Sequence, residues 1–305
     1  MDYIMRARDG LKIYVHCWDQ VEEPKGVVLI FHGMAEHGGR YEDFARHLNY
    51  SGYIVYANDL RGHGRTANSV EELGYIGEDG FNRIIEDEHD LLDDIKKKHP
   101  GLPVVVLGHS FGSLLAQDFI TRYGNDISGV ILSGSTKKEG MLISAGIVIT
   151  SLFSKLFGNR RKIKLLDSIT FFNYNKGIEN PKSKFAWLCR DERIVKEYDE
   201  DPYCGTLFPV GFFYCLSRAL KSLYDPEKLA AIPEDLPLLI LSGSRDPFGE
   251  YGKGTAKLFE MYKALNIKDV KIKLYEGGRH EMLNEINKEQ VYEDIVNWLD
   301  RIIIH

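Results

Sequence analysis

The chain has 305 residues, 44% of them hydrophobic and 28% charged, the make-up of a globular protein large enough for one α/β domain with an insertion. A net charge of −6 argues against nucleic acid as a partner, because phosphate binding needs a basic face. Scattered cysteines (Cys17, Cys189, Cys204, Cys215), no secretory pattern in "MDYIMRARDG" and no bilayer-length apolar run lead us to expect reduced thiols in a cytoplasmic protein.

A hairpin opens the chain: "YIMRA", a turn at Asp9-Gly10, then the alternating "LKIYVHCW". "VVLIFHG" follows as a continuous apolar strand of the kind covered on both faces. Short apolar runs recur at 53–57, 103–109, 129–134, 237–243 and 270–275. Between them, residues 79–98 place Phe81, Ile84, Leu91, Leu92 and Ile95 on one helical face. Near the C-terminus Val291, Ile295, Trp298, Leu299 and Ile302 repeat at the same spacing. Strands alternating with helices predict a mostly parallel sheet flanked by helices on both faces. The interval between the runs at 129–134 and 237–243 is about a hundred residues, far more than a crossover helix needs. Residues 136–217 are therefore expected to form an inserted helical cap on a core of 1–135 and 218–305.

"PVVVLGHSFGSLLAQDFI" joins an apolar strand to a helix through a serine held between two glycines. Such a turn is tight enough to need Gly108 and Gly112, and it exposes the Ser110 hydroxyl above the sheet. A hydroxyl is a poor nucleophile until a base takes its proton, and the base needs a carboxylate to hold its tautomer. His280 in "EGGRHEM" and Asp246 in "SGSRDPFG" each follow an apolar strand, so three suitable groups fall at three strand ends. Attack on a carbonyl creates an oxyanion, which calls for preorganised N–H donors. Phe111, at the helix start, and Met34, in the glycine-bearing loop "FHGMAEHGGRY", are the candidates. No cofactor or metal is called for, since His32 and His37 lack a third ligand at suitable spacing.

Together "HGMAEHGGRY", "NDLRGHGRT", "GHSFGS", "SGSRDPFG" and "GGRHEMLNE" resemble the α/β-hydrolase group of monoacylglycerol lipases and lysophospholipases. The resemblance runs from about residue 10 to the C-terminus and is weakest in the cap. It implies an α/β-hydrolase fold and a serine hydrolase that cleaves a single-chain lipid ester through an acyl-enzyme. Ser110, Asp246 and His280 would be its triad, with Met34 and Phe111 as oxyanion donors and Glu36, Arg40 and His109 near the substrate head. Three positions depart from the group: Phe111 stands for a usual methionine, Ser113 and Ala35 for frequent glycines, all expected at the pocket rim. Proline-releasing aminopeptidases share the residue order but carry an "HGGPG" loop and a tryptophan after the nucleophile, and both are absent here. A non-catalytic binding protein on the same fold is the other alternative, but such proteins tend to lose a triad member.

Blander readings cover the rest. His63 in "RGHG" reads as a structural loop residue, and Asp191, Glu192 and Asp201 as a solvated acidic face. In "MLISAGIVITSLFSKLF", Leu142, Ala145, Ile149, Leu152, Phe153 and Leu156 share a helical face opposite Ser144, Ser151 and Lys155. That face either packs into the cap's own core or meets lipid peripherally, with Arg160, Arg161, Lys162 and Lys164 turned to anionic head groups.

Overall fold

The computed structural model describes residues 1–137 and 141–304, with nothing said of the side chains at 141, 142 and 304. Each apolar run becomes a strand: β1 Tyr3–Arg6, β2 Lys12–Trp18, β3 Gly26–Phe31, β4 Tyr53–Asn58, β5 Val104–His109, β6 Gly129–Ser133, β7 Leu238–Gly243 and β8 Val270–Tyr275. They form one sheet in the order β1-β2-β4-β3-β5-β6-β7-β8, in which β1 and β2 pair antiparallel and the rest run parallel. The helices are α1 Glu42–Tyr50, α2 Gly80–Lys98, α3 Phe111–Tyr123, α4 Met141–Phe157, α5 Lys164–Thr170, α6 Glu192–Glu200, α7 Val210–Ser222, α8 Pro226–Leu229, α9 Lys253–Ala264 and α10 Lys288–Ile304.

The central strands are apolar throughout because both faces are covered. Along β3, Val27, Leu29 and Phe31 pack with α2, α3 and α9, while Val28 and Ile30 pack with α1 and α10. Phe81, Ile84, Leu91, Leu92 and Ile95 of α2 are all buried, as their spacing predicts. Parallel strands place every strand-to-helix loop at one sheet edge, where catalytic groups can converge. The topology thus collects residues 33–36, 110–111, 246 and 280 in one place.

Two acids on α2 carry a stability consequence. Glu88 is fully buried and its Oε1 accepts the Asn58 amide at 2.6 Å. Burial pushes its carboxyl well above the usual range, against the pull of Asn58, and neighbouring Asp87 adds to the rise. Burial also lifts Asp87 to about 6, although Arg61 opposes it. A raised carboxyl binds its proton more tightly in the folded than in the unfolded chain. The stability it contributes is full below the unfolded value and is lost as pH rises toward the folded one. Glu88→Gln is therefore expected to flatten the fall in melting temperature that sets in as pH rises above the ordinary carboxyl range. A variant that keeps the wild-type slope would refute this.

The residues between β6 and β7 hold α4 to α8. Position 217, the expected end of the cap, falls inside α7. In α4 the half-buried Ile147 and the buried Thr150 face inward, while Ala145, Val148, Ile149, Leu152 and Leu156 form an exposed apolar stripe. Of the expected apolar face, Phe153 alone among the described side chains is half-buried, and Leu142 lies outside them. The stripe turns outward, so it is not the helix's packing face. No helix among the described residues is long and apolar enough to cross a membrane.

Candidate active site

Ser110 sits on the sharp turn between β5 and α3 with φ 53° and ψ −116°, a conformation that a side chain adopts only under strain. A Cβ on Gly112 would strike the carbonyl of Phe31 in β3, and one on Gly108 would strike the carbonyl of Gly112. Both glycines are therefore obligatory, and the turn they allow lifts Ser110 into a cavity. The turn is anchored by the Ser110 N–H donating to the Ser133 carbonyl at 3.0 Å. Ser113, expected at the rim, is instead buried behind it, donating to the Ser110 carbonyl at 2.6 Å and hydrogen-bonded to the Ser135 hydroxyl at 2.8 Å. It stiffens the elbow and does not shape the pocket.

Asp246 follows β7 and is completely buried. Its carboxylate accepts the Phe248 N–H at 2.8 Å and lies 3.0 Å from His280 Nδ1. Burial alone would raise the Asp246 carboxyl, but His280 and the N–H groups of Phe248 and Gly249 outweigh it and hold it below the usual range. An ionised partner on Nδ1 keeps the proton there and leaves Nε2 as an acceptor. Nε2 of His280 is buried and has no hydrogen-bond partner among the described residues, which is the state a waiting base requires. Rings of His109, Trp187 and Phe248 enclose the imidazole at centroid distances of 4.8, 4.9 and 5.3 Å.

Met34 and Phe111 both line the cavity beside Ser110. Neither backbone N–H donates to a protein acceptor among the described residues, so both stay available for an incoming oxygen. The loop that presents Met34 is fixed from below: Glu36 Oε1 accepts the Gly33 N–H at 2.5 Å and the Tyr41 hydroxyl at 2.9 Å. Ala35 has φ 58°, which accounts for the glycine frequent at that position.

Of the residues expected near the substrate head, Glu36 and His109 line the cavity and Arg40 does not. The Arg40 guanidinium lies behind the wall, bonded to Glu36 at 2.5 Å and bidentately to Glu281 at 2.7 and 2.8 Å. Burial opposes the charge on Glu36, but Arg40 and then His109 bring its carboxyl down to about 2. Burial, and then the nearby His280, lower His109 to about 4, so it presents a neutral imidazole at pH 7. Arg40 thus ties the Met34 loop to the loop carrying His280. The tie of Glu281 to Arg40 was not legible in the sequence, because the partners lie 241 positions apart and only the acid's place directly after the candidate base could be read.

His63 is buried in a cage of His32, Phe111, Phe208 and Phe212, as a structural residue would be. The cavity holds about 830 Å³ of empty space, counting its opening to solvent. Leu114, Phe171, Leu216 and Phe248 give it an apolar wall, with Asp167 and Lys184 also on its lining. The segment between β6 and β7 completes this wall and bonds to the loops carrying Ala35, Arg279 and Glu281. Glu281 N–H donates to the Leu188 carbonyl at 2.7 Å, Arg279 reaches the Ala186 and Cys189 carbonyls, and Tyr198 donates to the Ala35 carbonyl at 2.7 Å.

Residues 22–287 match the model of the family described as serine aminopeptidase, S33. A monoacylglycerol lipase of Mycolicibacterium smegmatis is 31% identical over 294 residues, covering 95% of this chain and 93% of its own. The human monoglyceride lipase is 26% identical, covering 96% and 88%. Among solved structures, a thermostable carboxyl esterase from Bacillus coagulans in complex with glycerol superposes with a TM-score of 0.91 at 26% identity, covering 99% of this chain and 98% of that one. A match over most of the chain, a strand-to-helix elbow bearing Ser110 and the observed sheet order agree with one another. The chain belongs to the serine aminopeptidase S33 family of α/β-hydrolases, beside the monoacylglycerol lipases, and is a serine hydrolase.

Proposed function

We propose that the protein hydrolyses the acyl ester of a single-chain lipid, a monoacylglycerol, through an acyl-enzyme on Ser110. His280 Nε2 takes the Ser110 proton as Oγ attacks the ester carbonyl, and Asp246 stabilises the imidazolium. The N–H groups of Met34 and Phe111 receive the oxyanion. Collapse breaks the ester bond, and the proton on Nε2 passes to the departing alcohol. Water, deprotonated by the same nitrogen, then releases the fatty acid and restores Ser110. Glu36 and His109 meet the head group, and Arg40 holds Glu36 in place. Residues 136–217 act as the cap over a core of 1–135 and 218–305.

The observation that carries this reading is the cavity: a mainly apolar lining that also carries Ser110, Glu36, His109 and Glu281. An apolar wall suits an acyl chain, and a neutral polyol suits an end with two acids whose one close cation, Arg40, is already paired. A phosphate head would meet two carboxylates there and find Arg40 already taken. An aminopeptidase needs an acid free to hold a substrate ammonium, and both carboxylates are instead committed to Arg40. A hydrolysis panel of monoacylglycerols, lysophospholipids, short p-nitrophenyl esters and aminoacyl amides tests this. Monoacylglycerols should give the highest kcat/KM and amides none; preference for lysophospholipids or aminoacyl amides would overturn it.

The outward stripe on α4 supports a second part of the proposal, that this cytoplasmic protein meets lipid peripherally through its cap. Val148 is 68%, Leu152 52% and Leu156 64% exposed, and Ile169 and Phe172 are also exposed nearby in the chain. Arg161 and Lys164 are exposed just after α4, whereas Arg160 is taken by Glu72 at 2.6 Å and Lys162 is half-buried. Co-sedimentation with vesicles containing phosphatidylserine should exceed that with neutral vesicles. Leu152→Ser with Leu156→Ser should weaken it without unfolding, since both side chains are exposed. No binding at low salt would refute lipid contact.

A further inference from the structure

We propose that His37, Asp201 and Cys204 form a binding site for a thiophilic transition-metal ion such as Zn²⁺, at the seam between the Met34 loop and the insertion. In the sequence His37 has no companion ligand, because its companions lie more than 160 positions away. The fold supplies them. His37 Nε2 stands 2.9 Å from Asp201 Oδ2, and one ligand atom from each of His37, Asp201 and Cys204 lies within 4.8 Å of the others. Nitrogen, carboxylate oxygen and sulfur from three side chains suit Zn²⁺ better than an oxygen-seeking ion.

The site is preorganised by bonds that no metal is needed to make. Asp201 closes α6 and begins a turn in which the Cys204 N–H donates to the Asp201 carbonyl at 3.0 Å. The Tyr203 N–H holds Asp201 Oδ1 at 2.8 Å, which leaves Oδ2 turned to His37. Gly205 N–H donates to the Ala35 carbonyl at 2.9 Å and staples this turn to the loop bearing His37. Asp201, expected on a solvated acidic face, is partly buried and bonded to His37 and to the Tyr203 N–H. A cleft lined by His37, Asp201, Glu42, Glu197 and Glu200 opens beside it and draws cations in. The neighbouring trio of His16, His37 and Asp59 is a weaker candidate, since Asp59 already accepts from His16, Gly38 and Arg65 at 2.9, 2.9 and 2.6 Å. None of the three proposed ligands lines the catalytic cavity, so the site is distinct from it. A bound ion would cross-link the loop that presents Met34 to the insertion.

Titration calorimetry of the reduced, chelator-treated protein with Zn²⁺ should give one tight site, raising the melting temperature, while Mg²⁺ and Ca²⁺ give none. Cd²⁺ should produce the ultraviolet charge-transfer band of a cadmium–thiolate bond. Cys204→Ser should abolish that band, and Cys204→Ser, Asp201→Asn and His37→Asn should each weaken Zn²⁺ binding by at least about tenfold, a loss that even outer-shell partners can cause. Each variant is read against its own metal-free melting temperature. Should a variant fail to fold, the Cd²⁺ band of the wild-type chain decides. No Zn²⁺ binding, no thiolate band, or binding unchanged in the folded variants would overturn the proposal.

Discussion

Ser110→Ala is expected to lower turnover about a million-fold, the scale on which serine hydrolases lose activity with their nucleophile. The fold should survive, because the substitution removes only a hydroxyl and the elbow is held by groups that alanine keeps. Gly108 and Gly112 still admit the tight turn, the backbone N–H at 110 still reaches the Ser133 carbonyl, and its carbonyl still accepts from Ser113. A fluorophosphonate probe should label the wild-type chain at Ser110 alone. Labelling or activity retained by the folded variant would show that another residue is the nucleophile.

For Asp246→Asn the expected loss in turnover is about ten-thousandfold. The carboxylate holds the Nδ1 proton of His280 at 3.0 Å, and an amide can instead donate to Nδ1, which leaves the proton on Nε2 where the base should be vacant. Melting temperature should change little beside that, since asparagine keeps the acceptor for the Phe248 N–H. Glu281 provides the control. Its carboxylate is spent on Arg40, so Glu281→Gln should disturb the loops without removing the partner of His280. An Asp246→Asn enzyme that stays active while Glu281→Gln is dead would show that the carboxylate was misassigned.

The core and the meeting of Ser110, Asp246 and His280 as a candidate triad were legible in the sequence for one reason: in a parallel sheet the strands are apolar on both faces and polar groups at their ends converge. Ser110, Asp246 and His280 each sit within a few residues of such a run. What escaped were the bonds that brace these loops from distant parts of the chain. Arg40 to Glu281, Tyr198 to the Ala35 carbonyl and His37 to Asp201 span 241, 163 and 164 positions, and no local pattern announces them. Helical periodicity likewise located the apolar stripe of α4 but could not say which way it faces. A two-sided apolar helix offers the same spacing whether its stripe is buried or exposed. Ser113 was misplaced for a related cause: it is drawn behind the elbow by its bond to Ser135, 22 positions away, which no local pattern announces.

The attachments of the insertion divide it into parts with different tolerance to change. Residues 186–205 are bonded to the loops around Ser110 and His280: Ala186, Leu188 and Cys189 carbonyls receive Arg279 and Glu281, while Tyr198 and Gly205 hold Ala35. Trp187, from the same stretch, packs its ring on the imidazole of His280. Excising the insertion would therefore not unroof a working enzyme. It would strip two catalytic loops of their braces and wet the base. Changes in α5, whose Asp167 and Thr170 line the cavity, can alter the pocket wall, while the stretch from 186 to 205 is bound by its ties to the loops around Ser110 and His280.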